Sequence, residues 1–120
     1  MAGFRLTGPA ERDIAELLDW SGDNFGPAAR RRYEALVAAA LGDIAQDWQR
    51  IGSVQREDLG AGRRVYHLRH SRHRDRATTG IVQAPRHIVV YRLTSSDIVT
   101  ILRVLHDSMD LARHLDVRPE

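Results

Sequence analysis

HIVVYRLTSSDIVTILRVLHDSMDLARHL, residues His87–Leu115, decides the fold. Two runs rich in β-branched residues, His87–Leu93 and Ile98–Leu105, flank a short polar loop, Thr94-Ser95-Ser96-Asp97. Such runs suit a pleated, half-buried surface, and the loop is short enough for a hairpin. His106-Asp107 then closes the second strand and opens a short helix, Ser108–Leu115, with Met109, Ala112 and Leu115 facing inward. Arg92, Arg103, His106, Arg113 and His114 are scattered through this otherwise apolar segment. A buried arginine is costly without a partner, so those on the strands need one.

Outward from the hairpin, the chain begins with a brief edge strand, Gly3–Thr7, in which Phe4 and Leu6 alternate with Arg5. Thr7-Gly8-Pro9 is a helix start: Thr7 or Gly8 caps, and a proline in the first turn lacks only an orphan N–H. Ala10, Ile14, Leu17 and Leu18 follow at helical spacing, and the helix ends near Ser21–Asn24. Phe25-Gly26-Pro27 is a break. A second helix, about Pro27 to Trp48, carries Ala29, Tyr33, Leu36, Val37, Ala40, Ile44 and Trp48 as its stripe. The run Arg30–Arg32 falls mostly off that stripe and is a solvated face. Two amphipathic helices with a short break form an αα-hairpin.

Arg50–Gly62 is polar and glycine-bearing, and reads as loop. Val65–Leu68 is a further strand. Arg69–Arg86 has neither helical nor strand periodicity and reads as a long basic loop, a length that in a small domain is functional or disordered. The expected architecture is therefore α+β: an N-terminal helical hairpin packed on a small antiparallel β-sheet, with a short C-terminal helix. All of residues 1–120 are expected to form one domain.

Composition narrows the chemistry. There is no cysteine, which excludes a disulfide framework and thiolate catalysis. All 18 basic residues are arginine. Residues 1–60 hold seven arginines and ten acids, a net −3; residues 61–120 hold eleven and six, a net +5. The C-terminal half is thus the side suited to an acidic partner. No apolar leader and no membrane-length apolar run is visible, so a cytoplasmic protein with no membrane partner is expected.

Few motifs carry reaction chemistry. His67, His70 and His73 are three apart on a strand-to-loop segment, where that spacing alternates sides, and no thiolate could complete a zinc shell. Asp110 and His114 form an ordinary i,i+4 pair. No phosphate-cradling glycine loop, metal-binding carboxylate pair or Ser/His/Asp arrangement is present. No catalytic residue, metal or cofactor is expected.

The pieces FxLTGPAERDIAELLDW from Phe4, the Phe25-Gly26 break, Leu59-Gly-Ala-Gly-Arg-Arg, His87-Ile-Val-Val-Tyr-Arg92 and Arg103-Val-Leu-His106-Asp-Ser-Met-Asp110-Leu-Ala-Arg-His114-Leu resemble the ParE-type toxins of type II toxin–antitoxin modules, in the RelE/ParE superfamily. The resemblance spans about Phe4 to Leu115. It implies the same fold as the residue pattern does. It also implies a growth-inhibiting toxin that poisons DNA gyrase and is neutralised by a ParD-like ribbon-helix-helix antitoxin. The toxin would meet operator DNA only indirectly, through the antitoxin in a hetero-oligomer. On that resemblance the target- or antitoxin-binding residues are Tyr91, Arg92, Arg103, His106, Met109, Asp110, Arg113 and His114. The alternative within the superfamily is a RelE-like, ribosome-dependent mRNA endoribonuclease, which would draft Arg92, Arg103 and His106. The missing lysines, and a terminal helix without tyrosine, count against it.

Overall fold

The computed structural model describes residues 3–73, 81–95 and 97–114, and omits the side chains of residues 95, 112 and 114. The core of the basic segment, residues 74–80, and the inward positions expected of Ala112 and Leu115 lie outside that description.

Strand β1, Gly3–Leu6, leads into helices α1, Gly8–Phe25, and α2, Pro27–Gln46. Thr7 caps α1: its Oγ1 accepts from the Ala10 N–H at 3.1 Å. Between the helices Gly26 adopts φ 93°, a left-handed backbone that any side chain would strain, and Pro27 starts α2. Four further strands follow: β2 (Ser53–Gln55), β3 (Arg63–His67), β4 (His87–Ser95) and β5 (Ile98–His106). A short helix α3, Leu111–His114, comes last among the described residues.

The strands form one sheet in the order β1-β5-β4-β3-β2. The pairings among β2 to β5 are antiparallel, as expected. The pairing of β1 with β5 is parallel, so the sheet is mixed. The reason lies in the connection: β1 is joined to the rest of the sheet through two helices rather than a tight turn, and a crossover permits the parallel sense.

The inner face of the sheet carries the core. Leu17, Leu18, Tyr33, Leu36, Val37, Ala40 and Ile44 from the helical hairpin pack on Tyr66, Val89, Tyr91, Val99, Ile101 and Val104. Each fully buried aliphatic here contributes roughly 1.5–3 kcal/mol relative to exposure. A buried polar link reinforces the seam. Ser71 Oγ donates to Asp43 Oδ2 at 2.6 Å and also meets Tyr66 Oη at 2.7 Å, while Arg50 lies 3.2 Å from the same carboxylate.

Several local expectations change. The span Arg50–Gly62 holds strand β2 and a 3-10 turn at Glu57–Leu59. Only Val54 is apolar in β2, so there was no alternation to read; pairing with Arg64, Val65 and Tyr66 imposes the strand. The presumed loop from Arg69 begins instead inside a 3-10 turn, Leu68–Ser71, whose Leu68 and Ser71 are buried. Helix α3 starts at Leu111 rather than Ser108. The Ser108 N–H turns back to His106 Nδ1 at 3.1 Å and the Met109 N–H to the His106 carbonyl at 3.0 Å, which makes this stretch a turn. The outer sheet face is not wholly open either. Leu59 and Leu111 cover Val90 and Leu105, with Val65 and Leu102 at the margin.

Candidate functional site

β1 pairs only with Ile98–Ile101, so β5 runs on beyond it with an open edge. Helix α1 covers that edge through Asp13. Its carboxylate accepts from the Val104 N–H at 3.0 Å, from Arg103 Nε at 2.7 Å and from Arg103 Nη2 at 3.0 Å. This fork-to-carboxylate contact holds the Arg103 guanidinium above its ordinary pKa, by the hydrogen bond it donates to Asp13 more than by simple charge proximity. Arg103 therefore staples a helix to a strand and is not a free anchor.

Below that staple, α1 and the end of β5 diverge to leave a groove of 490 Å³, lined by Glu16, Leu17, Trp20, His87, His106 and Met109 among others. A second hollow of 370 Å³ adjoins it, with Phe25, Ala29, Tyr33 and Val82 in its walls. Trp20 and His87 line both. Trp20 is 53% exposed and Phe25 66%, and their rings meet edge to face at 5.4 Å. Met109, 41% exposed, stands on the far lip. Large apolar side chains left this open and clustered mark an interaction surface.

A histidine cluster forms the groove floor. The Arg86 N–H donates to Tyr33 Oη at 3.0 Å, so the tyrosine proton goes to His87 Nδ1, 2.6 Å away. His87 thus carries its own proton on Nε2. Burial, seconded by the charge of nearby His106, lowers its pKa to about 4, so the ring is neutral at physiological pH. Burial likewise raises Tyr33 to about 12. The His106 ring stands edge-on to His87 at 5.4 Å, with its Nδ1 held by Ser108. Behind them Asp107 accepts from His67 Nε2 and Arg86 Nε, each at 3.0 Å. Burial pushes the Asp107 carboxyl up, but the hydrogen bonds from His67 and Arg86 outweigh it and leave the pKa lowered. Three strand ends, β3, β4 and β5, are tied together by this one carboxylate.

The residues singled out from sequence scatter. Arg103, His106 and Met109 line the groove. Tyr91 is fully buried, its Oη bonded to the Trp48 carbonyl at 2.7 Å and to Ser53, so it serves the core and not a surface. Arg92 is exposed on the opposite sheet face. Asp110 and Arg113 are exposed and 3.9 Å apart. The His114 side chain lies outside the described residues. Trp20 and Phe25 were missed, although large apolar residues off the helix stripe were a usable signal. Asp13 had none: its partner lies 90 residues away. His67, His70 and His73 diverge, and among the described residues no three metal-binding side chains are grouped to hold an ion.

The described residues thus form a helical hairpin on a five-stranded mixed sheet. A solved chain from the chromosomal ParDE toxin–antitoxin system of P. aeruginosa has the same fold, with a TM-score of 0.62 at 16% identity, over 88% of this chain and 96% of that one. The sequence profile described as "ParE toxin of type II toxin-antitoxin system, parDE" matches residues 4–111, and the chain belongs to that family. No curated protein matches the sequence. No described helix is long and apolar enough to cross a membrane.

Proposed function

We propose that this toxin poisons DNA gyrase and that a ParD-like antitoxin neutralises it by laying an amphipathic segment into the groove around Trp20. The family match over residues 4–111 carries this reading. The site's chemistry supports it. Trp20, Phe25 and Met109 offer the exposed aromatic and thioether anchors that dominate protein–protein affinity. A groove between a helix and a strand end receives a helix or extended segment. Arg32 and Arg86 at the second hollow suit acidic residues on its rim.

Two of the three groups a ribonuclease would draft are otherwise engaged, and the third, Arg92, lies on the opposite sheet face. Arg103 is locked to Asp13, and His106 Nδ1 is held by Ser108. A general base and a phosphate-binding cation must be within reach of the reacting atoms. The whole chain acts as one toxin domain, with Met109 and His106 as contacts in the groove, Asp110 and Arg113 as contacts beside it, and His114 as a contact that the family resemblance alone implies.

Induction of the chain in a bacterium lacking the antitoxin tests the target. The expected result is filamentation with DNA damage, and loss of supercoiling by purified gyrase. Normal supercoiling together with cleaved mRNA on ribosomes would sink the reading. In the same growth assay, Trp20→Ala should remain toxic but escape rescue by the antitoxin. Full rescue would remove the antitoxin segment from the groove.

A further inference from the structure

The strand register places three arginines side by side on the outer face of the sheet. Arg63 of β3 lies opposite Arg92 of β4. Arg92 lies opposite Thr100 of β5. Thr100 is level with Arg5 of β1. Register partners share a face, so Arg63, Arg92, Thr100 and Arg5 form one row running across four adjacent strands. At the usual strand separation the row is roughly 14 Å long. Their neighbours Leu6, Tyr91, Val99 and Ile101 belong to the inner core, so the row lies on the outer face, and Gly3 and Ile98 show that register partners share it. A Cβ built on Gly3 would meet the Ile98 side chain at 3.7 Å, and both residues are two positions from Arg5 and Thr100.

Like charges set directly opposite on paired strands destabilise a sheet, and this row places Arg63 against Arg92. The repulsion is not relieved internally. Arg63 donates to the Leu59 carbonyl at 2.8 Å, and among the described residues none of the three guanidiniums has a carboxylate at ion-pair distance. Arg5 and Arg92 are exposed, whereas Thr100 between them is only 5% exposed, with its Oγ1 2.8 Å from Thr94 Oγ1. The row thus presents guanidinium forks around a hydroxyl pair. Ile98 is a large exposed apolar side chain on this face near the row, whereas the clustered anchors Trp20, Phe25 and Met109 stand beside the helices. A protein partner needs such an apolar centre, whereas a sugar–phosphate backbone needs only donors in line. No aromatic ring lies in the row, which disfavours stacked single-stranded bases.

We propose that the Arg5–Arg92–Arg63 row is a binding site for the phosphate backbone of duplex DNA, contacted directly by the toxin. It rests on the gyrase reading only for the source of the duplex, the DNA held by the topoisomerase. Guanidinium forks bind phosphate oxygens bidentately, and a backbone contact of this kind carries no sequence preference.

The test is fluorescence anisotropy of a labelled random-sequence duplex with the full-length toxin, free of antitoxin and topoisomerase, across a salt series. Three phosphate contacts predict a slope of log affinity against log salt near about −2.7, or roughly 40-fold weaker binding from 50 to 200 mM salt. Arg5→Gln/Arg92→Gln should lower affinity at least about tenfold at 50 mM salt and flatten the slope by about 1.8. Arg5→Lys/Arg92→Lys should restore the slope. Circular dichroism confirms that each variant is folded. Absence of binding at low salt overturns the proposal. So does an unchanged slope in the Gln double variant, which would assign binding to other arginines, and so does equal or tighter binding of poly-glutamate. Because no topoisomerase is present, failure here leaves the gyrase reading standing, and a gyrase-negative toxin that binds DNA through this row keeps the proposal.

Discussion

The inner and outer faces of the sheet are made by the same five strands, yet they do opposite work. The inner face is closed by the helical hairpin, and polar side chains there pair within the chain, Arg103 with Asp13, Tyr33 with His87 and Ser71 with Asp43, while Arg50 Nε is left without a hydrogen bond among the described residues. Among the described residues the outer face is closed only at one end, by Leu59 and Leu111, and its arginine row meets no carboxylate. Strand alternation makes both faces available; what covers each one decides whether its polar residues become structure or surface. The same residue type shows the contrast. Arg103 and Arg92 are eleven positions apart on adjacent strands, and one is a staple while the other is exposed.

Substitutions should break the two faces unequally. Leu36→Asp puts a charge into the inner core and should cost more than about 4 kcal/mol, leaving no native transition in urea denaturation. Leu111→Ala removes the cover of the outer cluster and should cost about 1–2 kcal/mol, since a four-residue helix can readjust over the gap. Equal losses would mean that the outer cluster is as much a core as the inner one.

His87 makes the inner face pH-dependent. Its folded pKa, about 4, lies below the ordinary 6.5 because of burial first and His106 second, with Asp107 opposing. The unfolded chain therefore binds the proton first. Stability is fully present above pH 6.5 and falls as the pH drops towards 4, by about 3 kcal/mol in all. Thermal melts of His87→Gln should be flatter across that window than those of the native chain. Parallel curves would show that the ring is not the titrating group.

Arg103→Ala sharpens the contrast further. It strands Asp13 beside the Val104 N–H, and the pair is only partly exposed, so a loss of about 2 kcal/mol in the urea midpoint is expected. Arg92→Ala at the exposed position should stay within about 0.5 kcal/mol. Reversal of that order would return Arg103 to the surface.

Much of this was legible in advance because it is local. The Thr7 cap, the Gly26-Pro27 break, the Leu17/Leu18 and Leu36/Val37 stripes and the β4–β5 hairpin each rest on neighbours within a few residues. β2 was not legible, because a three-residue strand with one apolar side chain exists only by virtue of β3. The site was less legible than the fold. Arg103, His106 and Met109 were named and line the groove, with Arg103 also bound to Asp13, whereas Tyr91 is buried in the core.

The sequence by itself determined the local elements: two amphipathic helices, the first capped by Thr7 and the second started by Gly26-Pro27, a β-branched hairpin, and an arginine-rich second half with no cysteine chemistry. Periodicity, propensity and capping act over one or two turns, so they are written in adjacent residues. Only the tertiary structure decided which arginines are spent inside. The Asp13–Arg103 staple spans 90 residues, and the Arg5–Thr100–Arg92–Arg63 row crosses four strands. Both depend on strand order and register, which residues distant in the chain settle only when they pack against one another.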